Sequence, residues 1–269
     1  RKPRVHNREQ LVRDASRRLA ANPKDMASLA ILADVYFNEG EWEKALLSYG
    51  TLMETSGARP EIDEFEATMR HGISAMNLKR YEEAYHSLGV ARTMKPDVFE
   101  INFNLGTIEY NRKQYEKAII LLGAANQAQP DHLETRKYLG MSLFRLKKYK
   151  EAIEKLKGVI DQHMDDKEAI YYMAHCYFEN GQMDMAGNLF SHLRPDPVFG
   201  PQASLMAGSI HMKSKSYDEA QMDFEIGLKH KQIKKELFLE LHYRLATVFL
   251  RKPEIQEALR HLQAIHDVE

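Results

Sequence analysis

One alanine recurs every 34 residues through the middle of this chain, at Ala84, Ala118, Ala152, Ala186 and Ala220. Each closes a similar local pattern: Lys79-Arg80-Tyr81-Glu82-Glu83-Ala84, Lys113-Gln114-Tyr115-Glu116-Lys117-Ala118 and Lys147-Lys148-Tyr149-Lys150-Glu151-Ala152. The series continues with Gly181-Gln182-Met183-Asp184-Met185-Ala186 and Lys215-Ser216-Tyr217-Asp218-Glu219-Ala220. Outer copies end at Ala45 and Ala258, after intervals of 39 and 38 residues. A repeat of this length marks a chain assembled from copies of one supersecondary unit, each resting on its neighbours.

Within each copy an apolar residue and a small one stand upstream of the alanine: Leu32-Ala33, Leu105-Gly106, Leu139-Gly140, Met173-Ala174, Ala207-Gly208 and Leu245-Ala246. Downstream, Tyr49, Leu88, Leu122, Leu156, Phe190, Phe224 and Leu262 follow at helical spacing. Each copy therefore reads as two amphipathic helices, A and B, joined by a tight turn. The small residues let the paired backbones approach. Pro96 and Pro130 close two of the copies.

The ends and joints depart from the period. Residues 8–21 read as one amphipathic helix stopped by Asn22-Pro23. Insertions fall at Thr55-Ser56-Gly57-Ala58-Arg59-Pro60 and at 229–236. The stretch Arg194-Pro195-Asp196-Pro197-Val198-Phe199-Gly200-Pro201 keeps the period, but its prolines predict a shortened helix and a local change of curvature.

Composition narrows the function. The 269 residues carry 38 Lys+Arg against 39 Asp+Glu, which argues against a dedicated nucleic-acid binder. No apolar run is long enough to span a bilayer. Cys176 is the single cysteine, so a disulfide framework is excluded, and it reads as a small buried apolar residue. No phosphate-binding glycine loop, HExxH or GxSxG motif occurs. His175 and Cys176 are adjacent and would point about 100° apart on a helix. No catalytic residue, metal site or cofactor is expected.

The repeat pattern resembles the tetratricopeptide repeat family over about residues 26–269, with local departures at His71, Met183 and Pro253. The resemblance implies an all-α fold, a right-handed α-solenoid of stacked antiparallel helix pairs. Its repeats would lie near 26–59, 65–98, 99–132, 133–166, 167–200, 201–234 and 239–269. A basic N-terminal segment and capping helix would fill 1–25.

The resemblance also implies a concave groove lined by fixed A-helix positions. Mapped here, these are Met69 and Met76 in the second copy, and Phe103, Asn104 and Tyr110 in the third. The fourth contributes Tyr138, Met141 and Phe144, the fifth Tyr171, Tyr172, His175 and Phe178, and the sixth Met206. Tyr110, Phe144 and Phe178 have an alternative place, packed between adjacent A helices. A Met- and aromatic-rich stripe suits an adaptable protein surface. The carboxylate clamp of some family members is not carried over, because Met141 follows Lys137 where the clamp wants Asn.

The expected function is a non-catalytic scaffold that binds a partner helix or extended peptide in the groove and so assembles a multiprotein complex. An alternative is a self-assembling component of a bacterial cell-envelope or motility machine, stacking through its open ends as a homo-oligomer. The chain starts at Arg1 rather than Met, and Arg1, Lys2, Arg4, Arg8, Arg13, Arg17 and Arg18 outnumber Glu9 and Asp14 near it. A fragment with a membrane tether upstream of Arg1 is the expectation that goes with that alternative.

Overall fold

The computed structural model describes residues 4–55 and 63–268. Most of the first insertion, from Ser56 to Pro60, lies outside the described residues, as do Arg1 and Lys2. All regular structure among the described residues is helical. The chain divides into two compact units, Arg1–Thr135 and Arg136–Glu269. The first holds α1 (Arg4–Ala21), α2 (Met26–Glu39), α3 (Trp42–Thr55), α4 (Glu64–Asn77), α5 (Tyr81–Met94), α6 (Phe99–Asn111) and α7 (Tyr115–Ala128). The second holds most of α8 (Leu133–Arg145), then α9 (Tyr149–Ile160), α10 (Lys167–Glu179), α11 (Met183–Leu193), α12 (Gly200–Lys213), α13 (Tyr217–Leu228), α14 (Lys235–Arg251) and α15 (Ile255–His266).

Each unit is an α-solenoid, helix pair packed on helix pair. In the first, α2 pairs with α3, α4 with α5 and α6 with α7, while α3 meets α4 and α5 meets α6. In the second, α10 pairs with α11, α12 with α13 and α14 with α15. The recurring alanines Ala84, Ala118, Ala152, Ala186 and Ala220 are all 0 % exposed. The upstream glycines pack against the apolar residue one turn after the alanine. A Cβ on Gly106 would lie 2.7 Å from Leu122 Cγ, and one on Gly140 the same distance from Leu156 Cγ. Close approach of the two backbones therefore requires glycine there.

The turn inside each pair repeats as well. One or two residues past the first helix the backbone turns left-handed, at Gly40, Lys79, Lys113, Lys147, Gly181 and Lys215, with φ between 60° and 80°. In each, the next residue donates its N–H back across the helix end, as Arg80 does to Ala75 O at 2.9 Å and Gln114 to Glu109 O at 2.9 Å. This is a Schellman closure, which satisfies carbonyls the helix leaves open.

Helix starts are capped by carboxylates at Asp25, Asp63 and Asp166, which accept from the N–H groups of Ser28, Glu66 and Ala169. The proline-rich joint shortens α11, which ends at Leu193 after 11 residues. Asp196 then accepts from the N–H groups of Val198 and Phe199, each at 2.8 Å, and Pro201 sits in the first turn of α12. Below this joint Asp223 of α13 is 0 % exposed. Its carboxylate accepts hydrogen bonds from the Arg194 guanidinium and, at 2.7 Å, from His211 Nδ1.

Candidate functional site

In the second unit α10, α12 and α14 are the first helices of successive pairs. Their facing sides enclose a cleft of about 530 Å³ lined by His175, Phe178, Glu179, Leu205, Met206, Ser209, Met212, Lys213 and Arg244. Phe178, Leu205, Met206 and Met212 form an apolar floor. The cleft is edged by charge. The Lys213 ammonium stands 4.3 Å from the Phe178 ring centroid, and Arg244 Nε donates to Glu240 at 2.7 Å. Thus three of the residues assigned from the sequence, His175, Phe178 and Met206, converge on one concavity.

Beside the cleft lies an aromatic nest. Tyr171 meets the His175 ring edge-on at 4.5 Å and Phe199 at 5.0 Å. Phe144 packs against Tyr172 at 5.5 Å and His175 at 6.0 Å. Arg145 donates to the Tyr172 hydroxyl at 3.2 Å. Burial, with a smaller contribution from the Arg145 charge, pulls the His175 imidazole down to about 4. Its Nε2 is buried with no hydrogen-bond partner. Burial likewise pushes the Tyr171 phenol up to about 12. His175 is therefore neutral near pH 7.

The remaining assigned residues are placed differently. Tyr138 is half-buried, whereas Met141 is only 3 % exposed and belongs to the interior. That is a correction to its placement on the groove. It shares the register of His175, and the packing of its neighbours buries it, out of a partner's reach. Lys137 is neutralised by Asp166 at 3.2 Å and Glu168 at 3.4 Å. In the first unit, Met69 and Met76 pack onto the core around Leu88, Ile101 and Ile108. Phe103 stacks on Phe99 at 5.7 Å and meets His132 at 5.0 Å. Asn104 donates its amide to Glu100 O at 2.6 Å, and Tyr110 meets Tyr115 edge-on at 5.7 Å.

Lys213, which the repeat pattern does not single out, gives the cleft one of its cationic edges. Its only signal in the sequence is its place next to Met212 at the end of the same helix. Cys176 is 0 % exposed, and burial pushes its thiol up to about 12, far from a nucleophilic thiolate at neutral pH. Among the described residues, no His, Cys, Asp and Glu side chains are grouped so as to hold a metal ion. No described helix is long and apolar enough to cross a membrane.

Residues 143–207 match a family model described as tetratricopeptide repeat. Residues 94–159 match one described as anaphase-promoting complex, cyclosome, subunit 3. No curated protein matches the chain. Among solved structures, the C-terminal part of a TPR repeat-containing protein from Cytophaga hutchinsonii is similar, at 14 % identity and a TM-score of 0.68, over 88 % of this chain and 94 % of that one. A tetratricopeptide repeat protein from Parabacteroides merdae gives 15 % identity and a TM-score of 0.58, over 90 % and 93 %. YrrB, described as a TPR protein with an unusual peptide-binding site, gives 16 % identity and a TM-score of 0.57, over 68 % and 92 %.

Proposed function

We propose that this chain, a tetratricopeptide repeat protein, is a non-catalytic scaffold that holds a segment of another protein against the first helices of its second unit. The observation that carries the reading is the cleft between α10, α12 and α14, with its Phe178, Leu205, Met206 and Met212 floor. Methionine side chains adapt to an incoming apolar residue, and Phe178 offers rigid contact area. The occupant is an amphipathic helix or an extended apolar peptide, anchored by one or two large apolar side chains. The unusual peptide-binding site described for YrrB supports a peptide as the class of ligand. The high thiol pKa of Cys176 supports the non-catalytic part of the reading.

The test is affinity capture from native lysate with the intact chain, a Met206→Glu variant and a variant with Tyr138, Tyr171 and Tyr172 changed to Ala. Helicity by circular dichroism must be unchanged. A bound protein lost with Met206→Glu supports the cleft; one retained by both variants moves the site elsewhere. Self-assembly is the second reading, favoured by Ile255, Leu259 and Leu262 of α15, which are 60 %, 53 % and 41 % exposed along one side of that helix. Light scattering across concentration separates the two: a mass that grows with concentration, and stops growing in Leu259→Lys, selects self-assembly.

A further inference from the structure

The second helices of the first unit carry glycines that their own fold does not demand. Gly89 of α5 and Gly123 of α7 occupy the same register one repeat apart, and an added Cβ at either would meet nothing within 4 Å. Mid-helix glycine costs about 1 kcal/mol against alanine, so its use here is not explained by packing inside the chain.

Gly89 lies where two hollows meet. One, of about 510 Å³, runs between α5, α6 and α7 over Leu105 and Leu121. The other, of about 480 Å³, continues across α5 toward Val90. Ile120, 67 % exposed, stands at the wall of the first. Gly89 is the low saddle that makes one groove of them.

The charges facing this groove are unbalanced. Three cations, Arg92, Lys117 and Arg112 over the Tyr85 ring, stand against two carboxylates: Glu109 accepts from the Tyr85 hydroxyl at 2.9 Å and Glu82 from Arg112 at 2.6 Å. Arg92 and Lys117 have no carboxylate partner among the described residues; Arg92 uses only Nε, toward Asn102 at 3.1 Å. We infer that this groove is a second docking surface, and that it takes an acidic amphipathic helix of another protein. Its apolar stripe seats over Gly89 and against Ile120, and its carboxylates reach Arg92 and Lys117. The glycine saddle admits the partner backbone closely, and the two cations select the sign of its flanks.

The test uses the full chain and two synthetic amphipathic helices with the same Leu/Ile stripe, one flanked by Glu and one by Lys, read by fluorescence anisotropy. The Glu helix should bind about tenfold more tightly than the Lys helix. Gly89→Leu should weaken the Glu helix about tenfold while holding or raising the melting temperature, because it fills open space and improves the helix. Lys117→Glu should narrow the preference between the two helices. Met206→Glu, in the other cleft, should change none of this. Absence of binding, equal affinity for the two helices, or sensitivity to Met206→Glu and not to Gly89→Leu overturns the inference. So does a concentration-dependent dimer abolished by Gly89→Leu, which would give the groove to a second copy.

Discussion

Gly106 and Gly123 are the same amino acid in paired helices of one repeat, yet a methyl group would have opposite effects at the two. At Gly106 it would press into Leu122 Cγ at 2.7 Å and Cδ2 at 2.9 Å, while at Gly123 it would enter open space. Gly106→Ala should therefore destabilise the chain by about 1–3 kcal/mol through overpacking. Gly123→Ala should stabilise it by about 0.5–1 kcal/mol through helix propensity. Urea midpoints of the two variants measure both; shifts of the same sign would contradict the packing account. The close-approach role was legible in the sequence, since Gly106 and Gly140 stand beside apolar residues at the repeat spacing. The role of Gly89 and Gly123 was not, because periodicity tells that a position recurs and not what faces it.

The turns inside the helix pairs hold lysine where left-handed backbone favours glycine, at Lys79, Lys113, Lys147 and Lys215. An L side chain there costs about 1–2 kcal/mol. A cation next to a helix C-terminus recovers part of that, about 0.3–1 kcal/mol. Lys113→Gly should raise stability by about 0.5–1 kcal/mol, with the gain growing in high salt as the charge term is screened. Thermal unfolding at low and high ionic strength reads both; a loss of stability in either condition would sink the idea. The equivalent Gly40 and Gly181 hold the residue that this backbone favours. Helix register explains how far the site could be read. His175, Phe178 and Met206 occupy first-helix positions that open on the cleft, and register located them. Met141 occupies such a position too, but its side chain is buried, which depends on the packing of neighbours that a single repeat does not encode.

For the whole chain, acid should begin to destabilise before the carboxylates titrate. Burial holds the imidazoles of His71, His175, His242 and His261 below their ordinary value of 6.5, and His242 Nδ1 and His261 Nδ1 share a hydrogen bond of 2.8 Å. The unfolded chain takes up these protons first. Stability present above pH 6.5 is then lost as pH falls toward about 4, the His175 value. His175 alone accounts for about 3 kcal/mol over that window. The urea midpoint should fall between about pH 7.5 and about pH 5, and His175→Phe should reduce the difference. Equal midpoints in the parent chain would refute it. The Asp223 carboxylate also bears on the order in which the parts stack. Chains made of near-copies are open to docking out of sequence, with one pair skipped and the next accepted in its place. Positions matching Asp223 in other copies hold Ser48, Ser87, Leu121, Lys155, Leu189 and His261, so its carboxylate is peculiar to one joint. The Arg194 guanidinium before it neutralises that charge, and His211 beside it hydrogen-bonds the second oxygen. A mis-ordered stack would bury it without Arg194, the one cation among the described residues that reaches it from outside its own helix pair, at a cost of several kcal/mol. The joint thereby acts as a key, and the pair α12–α13 accepts one predecessor among look-alikes.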